Sequence, residues 1–404
     1  MKILFQATGP YSENSPFNHL KKDIYLELNR AGIEVHRVIP VHKGKEARDV
    51  LPLDSEPSTM TYDVLTVGKV PKGNFILRYL NSLLSTFRLF RKGLKVKDID
   101  IVVSIVPQTA FVALILAKLK RKKMVALLMD IWPNNTVEAG VLREKSLVYK
   151  IFFAIQKKVY KHVDAIITIS EDMKKTMVES GAAAEKIFVA HNWSHVDKPV
   201  VISPKKNKFV EKYNLNNNVF RVIYAGNIGA MQNVEIIVEA AEIIKNRKDI
   251  EFLIIGSGVN EKKIKEMVES KGLKNVSFFP FQPSEMAEYI YALANINMIP
   301  LRQGAVYTAL PSKTAICLAC GRPIIACVDK KSNYATMLQA NGAAMVVEPD
   351  DTKGLAEAIK KIKDNVELQA KMSTDALACF EACFRKTENV KVYSDVFKLI
   401  AEKQ

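Results

Sequence analysis

The apolar and polar positions along the chain predict short strands that alternate with longer helices. Short apolar runs typical of buried parallel strands are separated by segments whose apolar residues recur every three to four positions. The predicted strands of the first half are Lys2–Ala7, Ile33–Pro40, Ile101–Ile105, Met124–Met129, Ala165–Ser170 and Ile187–Ala190. The pattern restarts with Phe220–Tyr224, Glu251–Ile255, Val276–Phe279, Ile296–Leu301, a run within Gly321–Val328, and Ala344–Val347. This alternation predicts an α/β protein with parallel, doubly wound sheets.

The two halves are joined by a stretch of different composition. Residues 195–218 carry Pro199, Pro204, several lysines and three consecutive asparagines, which is typical of a linker. A chain of 404 residues also fits two domains better than one core. We predict two Rossmann-like domains that face each other across a cleft, at residues 1–200 and 215–385. A C-terminal helix at 386–404 is expected to pack back on the first domain.

The stretch from Ile296 to Val328 holds the first candidate site. A polar turn, Leu310-Pro311-Ser312-Lys313, leads into a short apolar helix that ends at Gly321. Proline suits the first turn of a helix and glycine suits its end. Free N–H groups at a helix start, together with the Ser312 hydroxyl and the Lys313 ammonium, can hold a phosphate. An ordinary strand–loop–helix unit with a chance Ser-Lys pair is the alternative.

A glycine turn, Gly226-Asn227-Ile228-Gly229, follows a predicted strand and precedes a helix. At such a place glycine lets the backbone approach a phosphate closely. The turn lacks the third glycine of the dinucleotide fingerprint, and no acidic residue ends the next strand, which argues against NAD. A second turn, Gly256-Ser257-Gly258, fits either a ligand contact or a tight connection.

Two loops of the first half have both a chemical and a structural interpretation. Asp130-Ile131-Trp132-Pro133 directly follows a strand, where a carboxylate on a rigid loop could place an acid against a sugar. A capping aspartate with a packed Trp132 explains the same sequence. His191-Asn192-Trp193 either lines a cleft or forms a packed turn near the domain boundary.

Nucleophilic and metal chemistry have little support in the sequence. No G-x-S-x-G, H-E-x-x-H or clustered Cys/His spacing occurs, and we predict no metal. The five cysteines are odd in number and stand mostly on apolar segments, which favours free buried thiols in a reducing cytosol. The N-terminal segment resembles a first strand rather than a signal peptide, and no apolar run is long enough to span a bilayer.

The net charge of +16 predicts an anionic partner. No groove-reading or RNP-like motif accompanies the basic residues, so nucleic acid is not expected. Basic clusters beside apolar residues favour peripheral attachment to an anionic membrane surface, at the cytoplasmic side of the plasma membrane. A solvated basic surface is the alternative. The clusters are Arg88, Arg91, Lys92, Lys95 and Lys97; Lys118 and 120–123; and Lys150, Lys157, Lys158 and Lys161.

Several motifs in order resemble those of the retaining GT-B glycosyltransferases of family 4. They are Ile166-Ile167-Thr168-Ile169-Ser170-Glu171, His191-Asn192-Trp193 with Asp197, Tyr224-Ala225-Gly226-Asn227, and Gly321-Arg322-Pro323-Ile324-Ile325-Ala326. The Asp130–Pro133 loop, the Gly226–Gly229 turn with Gln232, and the Leu310–Lys313 turn together resemble the WbuB-like subgroup. That subgroup builds O-antigen and capsular polysaccharide and is associated with amino-deoxy sugars.

The resemblance implies retaining transfer of a sugar from a nucleotide-diphosphate donor, expected to be UDP-linked, to a lipid-linked oligosaccharide. It implies no metal and no separate cofactor. Asp130 would contact the sugar or the acceptor, and Lys313 would neutralise the leaving diphosphate. The implied donor-binding residues are Gly9, Gly226, Asn227, Gly229, Gln232, Phe281, Thr308, Ser312 and Lys313.

The sequence departs from the family pattern at the expected site. The family's Glu-x7-Glu pair would fall at Thr308 and Ile316, and neither residue is acidic. Asn227 and Gln232 stand near the places of the usual Arg and Lys, and the N-terminal glycine pair is reduced to Gly9 followed by proline. A catalytically degenerate sugar-nucleotide-binding or scaffolding subunit, and a GT-B epimerase acting on UDP-sugars, therefore stand as alternatives.

Overall fold

The computed structural model describes residues 1–6, 17–42, 60–68, 75–105, 107–138, 140–216 and 218–403. The chain divides into two compact units. The first comprises Met1–Asn134, Arg143–His191 and Thr387–Gln404, and the second comprises Asn135–Leu142 and Asn192–Lys386. The segment Asn135–Leu142 thus belongs to the second unit, although it follows a strand of the first.

The first unit is built on a seven-stranded sheet whose described pairs are all parallel. Its strands run in the order β3-β2-β1-β4-β5-β6-β7. They are β1 Lys2–Gln6, β2 Glu34–His42, β3 Met60–Val67, β4 Ile101–Ser104, β5 Lys123–Leu128, β6 Ala165–Thr168 and β7 Ile187–Val189. Its helices are α1 Phe17–Arg30, α2 Phe75–Lys95, α3 Pro107–Lys120, α5 Leu147–His162 and α6 Glu171–Glu179. Helix α4, Asn134–Glu138, follows β5 in the chain and belongs to the second unit from Asn135 onward.

The second unit contains a six-stranded parallel sheet in the order β10-β9-β8-β11-β12-β13. Its strands are β8 Phe220–Asn227, β9 Ile250–Ser257, β10 Val276–Phe279, β11 Ile296–Pro300, β12 Ile324–Cys327 and β13 Ala344–Val347. The helices are α7 Lys208–Tyr213, α8 Glu235–Ile243, α9 Glu261–Ser270, α10 Ala287–Leu293, α11 Thr314–Ala319, α12 Asn333–Ala340, α13 Thr352–Lys363, α14 Val366–Cys379 and α15 Lys386–Glu402, the last of which lies almost wholly in the first unit.

The predicted fold class is confirmed: both sheets are parallel and have the strand order of doubly wound Rossmann-like domains. Parallel strands covered on both faces are expected to be apolar throughout, and β11 and β12 are buried at every position. In an open α/β sheet the crevice for a ligand lies at the carboxyl ends of the strands, where the strand order reverses. In the second unit that point lies between β8 and β11.

Three details of the local structure differ from the sequence pattern or lie beyond it. Residues 41–75, whose pattern predicts loops with short strands, contain an eight-residue edge strand, β3, which pairs with β2 and whose partly exposed residues lack a clean alternation. Helix α12 was missed, because its amphipathic pattern is short and weak. Strands β8 and β9 extend past the predicted ends, so that Gly226 pairs with Gly256 inside the sheet. A side chain on Gly256 would collide with the Gly226 carbonyl, which explains why glycine is needed there.

Candidate active site

The reversal point of the second sheet is bordered by the loops that follow β8 and β11. Arg302, which begins the loop after β11, donates its backbone N–H to the Met231 carbonyl at 2.9 Å and Nε to the Ala230 carbonyl at 2.7 Å. Its Nη2 also pairs with Glu235, in the first turn of α8, at 2.8 Å. Lys263 pairs with the same carboxylate at 3.0 Å. These contacts hold the two loops side by side at the carboxyl edge of the sheet.

Lys313 extends from the far end of the β11–α11 loop back toward β8. Its Nζ lies 3.8 Å from the centroid of the Tyr224 ring, in a cation–π contact. A Cβ on Gly226, whose φ is +143°, would lie 3.0 Å from this Nζ. The ammonium is buried and has no hydrogen-bond partner in the described part of the chain. Burial lowers the pKa of Lys313 to about 8.

Three further predicted donor-site residues meet one another where β8 runs into the following turn. A Cβ on Gly229 would lie 2.5 Å from Asn227 Nδ2 and 2.7 Å from Gln232 Oε1, so the two amide side chains meet over Gly229. The Tyr224 hydroxyl donates to the Asn227 carbonyl and fixes the end of β8. The structure therefore places Lys313 beside Gly226, and Asn227 and Gln232 together over Gly229. An ammonium can bind a phosphate, and amide side chains can hydrogen-bond a polar ligand group.

Ser312 and Phe281, two further predicted donor-site residues on loops of this unit, are both exposed. Helix α11 begins at Thr314 with Lys313 at its N-cap, so the prediction that the helix begins at Ser312-Lys313 was one to two residues early. Phe281 follows β10, two strands from β8, and is 52% exposed. The neighbouring Gln282 holds that loop by donating to the Tyr213 hydroxyl at 2.9 Å and the Pro280 carbonyl at 2.8 Å.

Thr308 contacts a carboxyl group that the sequence did not predict. Its side chain is buried, and Oγ1 donates a hydrogen bond to Glu138 Oε2. Burial, assisted by the negative charge of Asp329, raises the pKa of Glu138 to about 7 against the opposing effect of the Thr308 hydrogen bond. No local sequence signal marks Glu138, because its contact spans 170 residues of chain. Ile316 is buried on α11, where a glutamate would place its charge in the core.

The remaining candidates lie in the first unit or outside the described residues. Asp130 follows β5 and is exposed, and desolvation by the surrounding protein still raises the pKa of its carboxyl to about 6. The Trp132 ring packs against Phe152 at 4.6 Å, as the structural interpretation of this loop expects. His191 donates its backbone N–H to Asn389 at 2.7 Å, and its Nδ1 lies 2.9 Å from the Ile169 carbonyl. These contacts fit the packed-turn interpretation of this loop. Gly9 lies outside the described residues.

Three further properties of the described residues bear on the candidate site. They contain no group of three or more His, Cys, Asp or Glu side chains that could hold a metal ion. No helix among them combines the length and apolar character needed to cross a bilayer. All five cysteines are free thiols, and four of them are buried, as the sequence predicted.

Two family models match the chain. The model for glycosyltransferase family 4 matches residues 22–198, and the model for glycosyl transferases group 1 matches residues 205–378. WcaI of Escherichia coli (strain K12), named as a glycosyl transferase of colanic acid biosynthesis, is 26% identical over 65% of this chain and 66% of its own length. WbjE of Pseudomonas aeruginosa, named as a glycosyltransferase, is 26% identical over 59% of this chain and 60% of its own. The chain thus spans less than two thirds of either relative.

A solved structure agrees with this assignment at the level of the fold. The crystal structure of Anabaena Alr3699/HepE in complex with UDP matches with a TM-score of 0.70 at 16% identity, over 99% of this chain and 100% of that one. Two parallel Rossmann-like sheets and models that match both halves define the class as a GT-B glycosyltransferase. The chain belongs to glycosyltransferase family 4.

Proposed function

We propose that this protein transfers a sugar from a UDP-linked donor to a lipid-linked oligosaccharide, with retention, in surface polysaccharide biosynthesis. The observation that carries the proposal is the buried ammonium of Lys313, which lies beside Gly226 and has a cation–π contact but no hydrogen-bond partner in the described part of the chain. A buried charge without a hydrogen-bonded counter-charge is costly, and an anionic ligand group would compensate it. A nucleoside diphosphate supplies that charge at the reversal point of a parallel sheet, where such sheets bind their ligands.

The proposal gives each of these side chains its own task. The Lys313 ammonium would neutralise the charge that develops on the diphosphate as the glycosidic bond breaks. The Asn227 and Gln232 amides would hydrogen-bond the phosphates or the sugar from across Gly229. The exposed Phe281 ring would lie against the base. The UDP in the HepE crystal structure is a property of that protein and supports uridine as the first base to test.

Asp130 is the group of the first unit best suited to act on the acceptor. A carboxyl with a pKa of about 6 can exchange a proton near neutral pH, as an acid–base group must. Retention is proposed from family membership. NMR of the product of a transfer reaction would test it, and an inverted anomeric configuration would contradict it.

The surface of the first unit supports a membrane-bound acceptor at the cytoplasmic side of the plasma membrane. Helix α3 packs against both α2 and α5, so these three helices form one layer. Each exposes large apolar side chains, among them Phe87, Leu119, Leu147 and Ile151. Exposed lysines and arginines accompany them. An amphipathic basic surface of this kind binds anionic lipid headgroups while its apolar residues enter the interface.

Calorimetry with UDP, GDP and ADP tests the donor assignment. We expect UDP to bind and Lys313→Ala to weaken binding by about 1.5–3 kcal/mol, the loss of a charge-assisted contact. Lys262→Ala is the matched control, because this lysine is 89% exposed in the same unit. Equal UDP affinity in the Lys313→Ala variant and the wild type would remove Lys313 from the site. Absence of nucleotide binding by the wild type would contradict the function itself.

A catalytically degenerate, sugar-nucleotide-binding subunit is the second candidate. The observation that favours it is the absence of a carboxylate at Thr308 and Ile316, where Ile316 is built into the core. Transfer and hydrolysis assays with UDP-glucose, UDP-galactose and their N-acetylamino forms separate the two functions. Turnover of any of these donors supports the transferase. Binding without turnover in the presence of a lipid-linked acceptor supports the degenerate subunit, and the same panel tests the predicted amino-deoxy sugar.

A further inference from the structure

Glu138 reaches the carboxyl edge of the second sheet from a distant part of the chain. It closes the short helix α4, and its segment belongs to the second unit. Its carboxyl accepts a hydrogen bond from Thr308 in the β11–α11 loop. The negative charge of Asp329 contributes to the raised pKa of Glu138. Asp329 stands just after β12, the neighbour of β11, and accepts a hydrogen bond from the Gly304 N–H at 2.9 Å.

The loop that carries Thr308 adjoins the glycine turn at both ends. Arg302 joins its beginning to Ala230 and Met231, and Lys313 joins its end to Gly226 and Tyr224. Thr308 lies between these two attachments. The Glu138 carboxyl is therefore held at the border of the crevice that contains the Lys313 ammonium.

The chemistry of a carboxyl limits what it can bind in such a place. An ionised carboxylate beside a diphosphate experiences like-charge repulsion, so it is not a phosphate ligand. Carboxylate oxygens are strong acceptors for hydroxyl groups, and a sugar hydroxyl can also accept a hydrogen bond from a protonated carboxyl. In a UDP-sugar, hydroxyl groups occur on the ribose and, in larger number, on the sugar that is attached to the diphosphate. A carboxyl next to the diphosphate site therefore fits a hydroxyl-bearing ring, and the transferred sugar offers it the most partners.

We propose that Glu138, positioned by Thr308, binds the hydroxyls of the transferred sugar and so distinguishes a UDP-sugar from UDP. The inference rests on the proposed donor function and deepens it. It also accounts for two otherwise unconnected features. The first is the placement of the Glu138 segment with the second unit. The second is the lack of an acidic residue in the β11–α11 loop itself, residues 301–313.

Calorimetric titration of UDP and of a panel of UDP-sugars tests this assignment. The panel is UDP-glucose, UDP-galactose and their N-acetylamino forms, titrated into the wild type, Glu138→Gln, Thr308→Ser, Thr308→Val and Glu144→Gln. Glu144 is the matched control, because it is an exposed glutamate six residues away in sequence. We expect at least one UDP-sugar to bind the wild type more tightly than UDP. Glu138→Gln should lower affinity for that sugar about tenfold or more without lowering affinity for UDP.

The Thr308 variants separate positioning from overall folding. Thr308→Ser keeps the hydroxyl, so its affinity for the UDP-sugar relative to UDP should match the wild type. Thr308→Val lacks the hydroxyl, and the same affinity ratio should fall severalfold. A Glu138→Gln protein that still prefers the UDP-sugar as strongly as the wild type would overturn the inference and leave the proposed function intact. A wild type that binds UDP, but binds none of the four UDP-sugars more tightly than UDP, would overturn the inference in the same way. Failure of the wild type to bind any of these nucleotides would instead reject the proposed function.

Discussion

Lys313 in the second unit and Asp130 in the first both follow strands of a parallel sheet, but their surroundings differ. Lys313 is buried against the Tyr224 ring beside a glycine, and its pKa falls to about 8. Asp130 is exposed, and its pKa rises to about 6. The second unit thus holds the Lys313 ammonium in place without a ligand, whereas the first unit leaves the Asp130 carboxyl exposed. A fixed site suits a constant diphosphate, and an open one suits a bulky acceptor.

The largest effect in this comparison should come from filling the space beside Lys313. In Gly226→Ala the new Cβ would lie 3.0 Å from Nζ at a φ of +143°, which only glycine adopts readily. Displacement of the ammonium and backbone strain should together weaken UDP binding by about 2–3 kcal/mol. Calorimetry measures this loss.

Gly181→Ala is the control for backbone strain alone. Gly181 has a φ of +99° and would have nothing within 4 Å of its Cβ. This variant should lose stability and keep its UDP affinity. If both variants bind UDP like the wild type, the contact between Gly226 and Lys313 is not part of the nucleotide site.

The lowered pKa of Lys313 gives the next largest effect, a pH dependence of UDP binding. Below pH 8 the ammonium is charged and should attract the diphosphate, and above pH 8 the free protein holds a neutral amine. UDP affinity should therefore fall as pH rises past 8, by up to about tenfold for each pH unit.

Lys313→Arg should show no such fall, because a guanidinium keeps its proton throughout this range. Ionisation of UDP itself affects both proteins equally. Isothermal titrations between pH 7 and 9.5 make the comparison, and parallel curves for the two proteins would contradict the assignment.

Glu138 gives a smaller effect, on stability. Its pKa in the folded protein, about 7, exceeds its ordinary value of 4.5, so the folded state binds the proton more tightly than the unfolded state. The stability gained from this group is fully present below pH 4.5 and is lost as pH rises through 7. Glu138→Gln should therefore be more stable than the wild type at pH 8, by about 2 kcal/mol after allowance for partial exposure, and similar at pH 4.5.

Urea unfolding at the two pH values measures the difference. Glu144→Gln, which alters an exposed glutamate, should follow the wild type at both. A Glu138→Gln difference that is the same at pH 4.5 and pH 8 would show that the carboxyl titrates normally in the folded protein.

The accuracy of sequence reasoning depended on how far apart the interacting residues lie. The alternation of apolar runs predicted every strand of the two sheets except the edge strand β3, because buried parallel strands must be apolar at nearly every position. Gly226, Gly229 and Lys313 were identified because each belongs to a short motif at a strand end. Glu138 was not predicted, because its contact with Thr308 is created only when the chain folds. The burial of Lys313 against Tyr224 was unpredictable for the same reason.

The smallest expected effect concerns the first unit and its amphipathic helices. Leu147, Ile151 and Lys158 are exposed and recur at helical spacing along one side of α5. Lys158→Gln should weaken binding to vesicles that contain anionic phospholipid by about 1 kcal/mol, or about fivefold, at low salt. Lys262→Gln on α9 removes an exposed charge from the second unit and should have less effect.

Co-sedimentation at rising salt separates the electrostatic part of this binding from the apolar part. Charge attraction weakens as salt shortens the Debye length, whereas insertion of an apolar side chain does not. Leu147→Ser should therefore reduce the binding that remains at high salt, and Lys158→Gln should reduce only the binding at low salt. If Lys158→Gln and Lys262→Gln weaken vesicle binding equally, net charge alone attracts the protein to the vesicles. In that case the comparison between a fixed donor site and a membrane-facing unit would no longer hold.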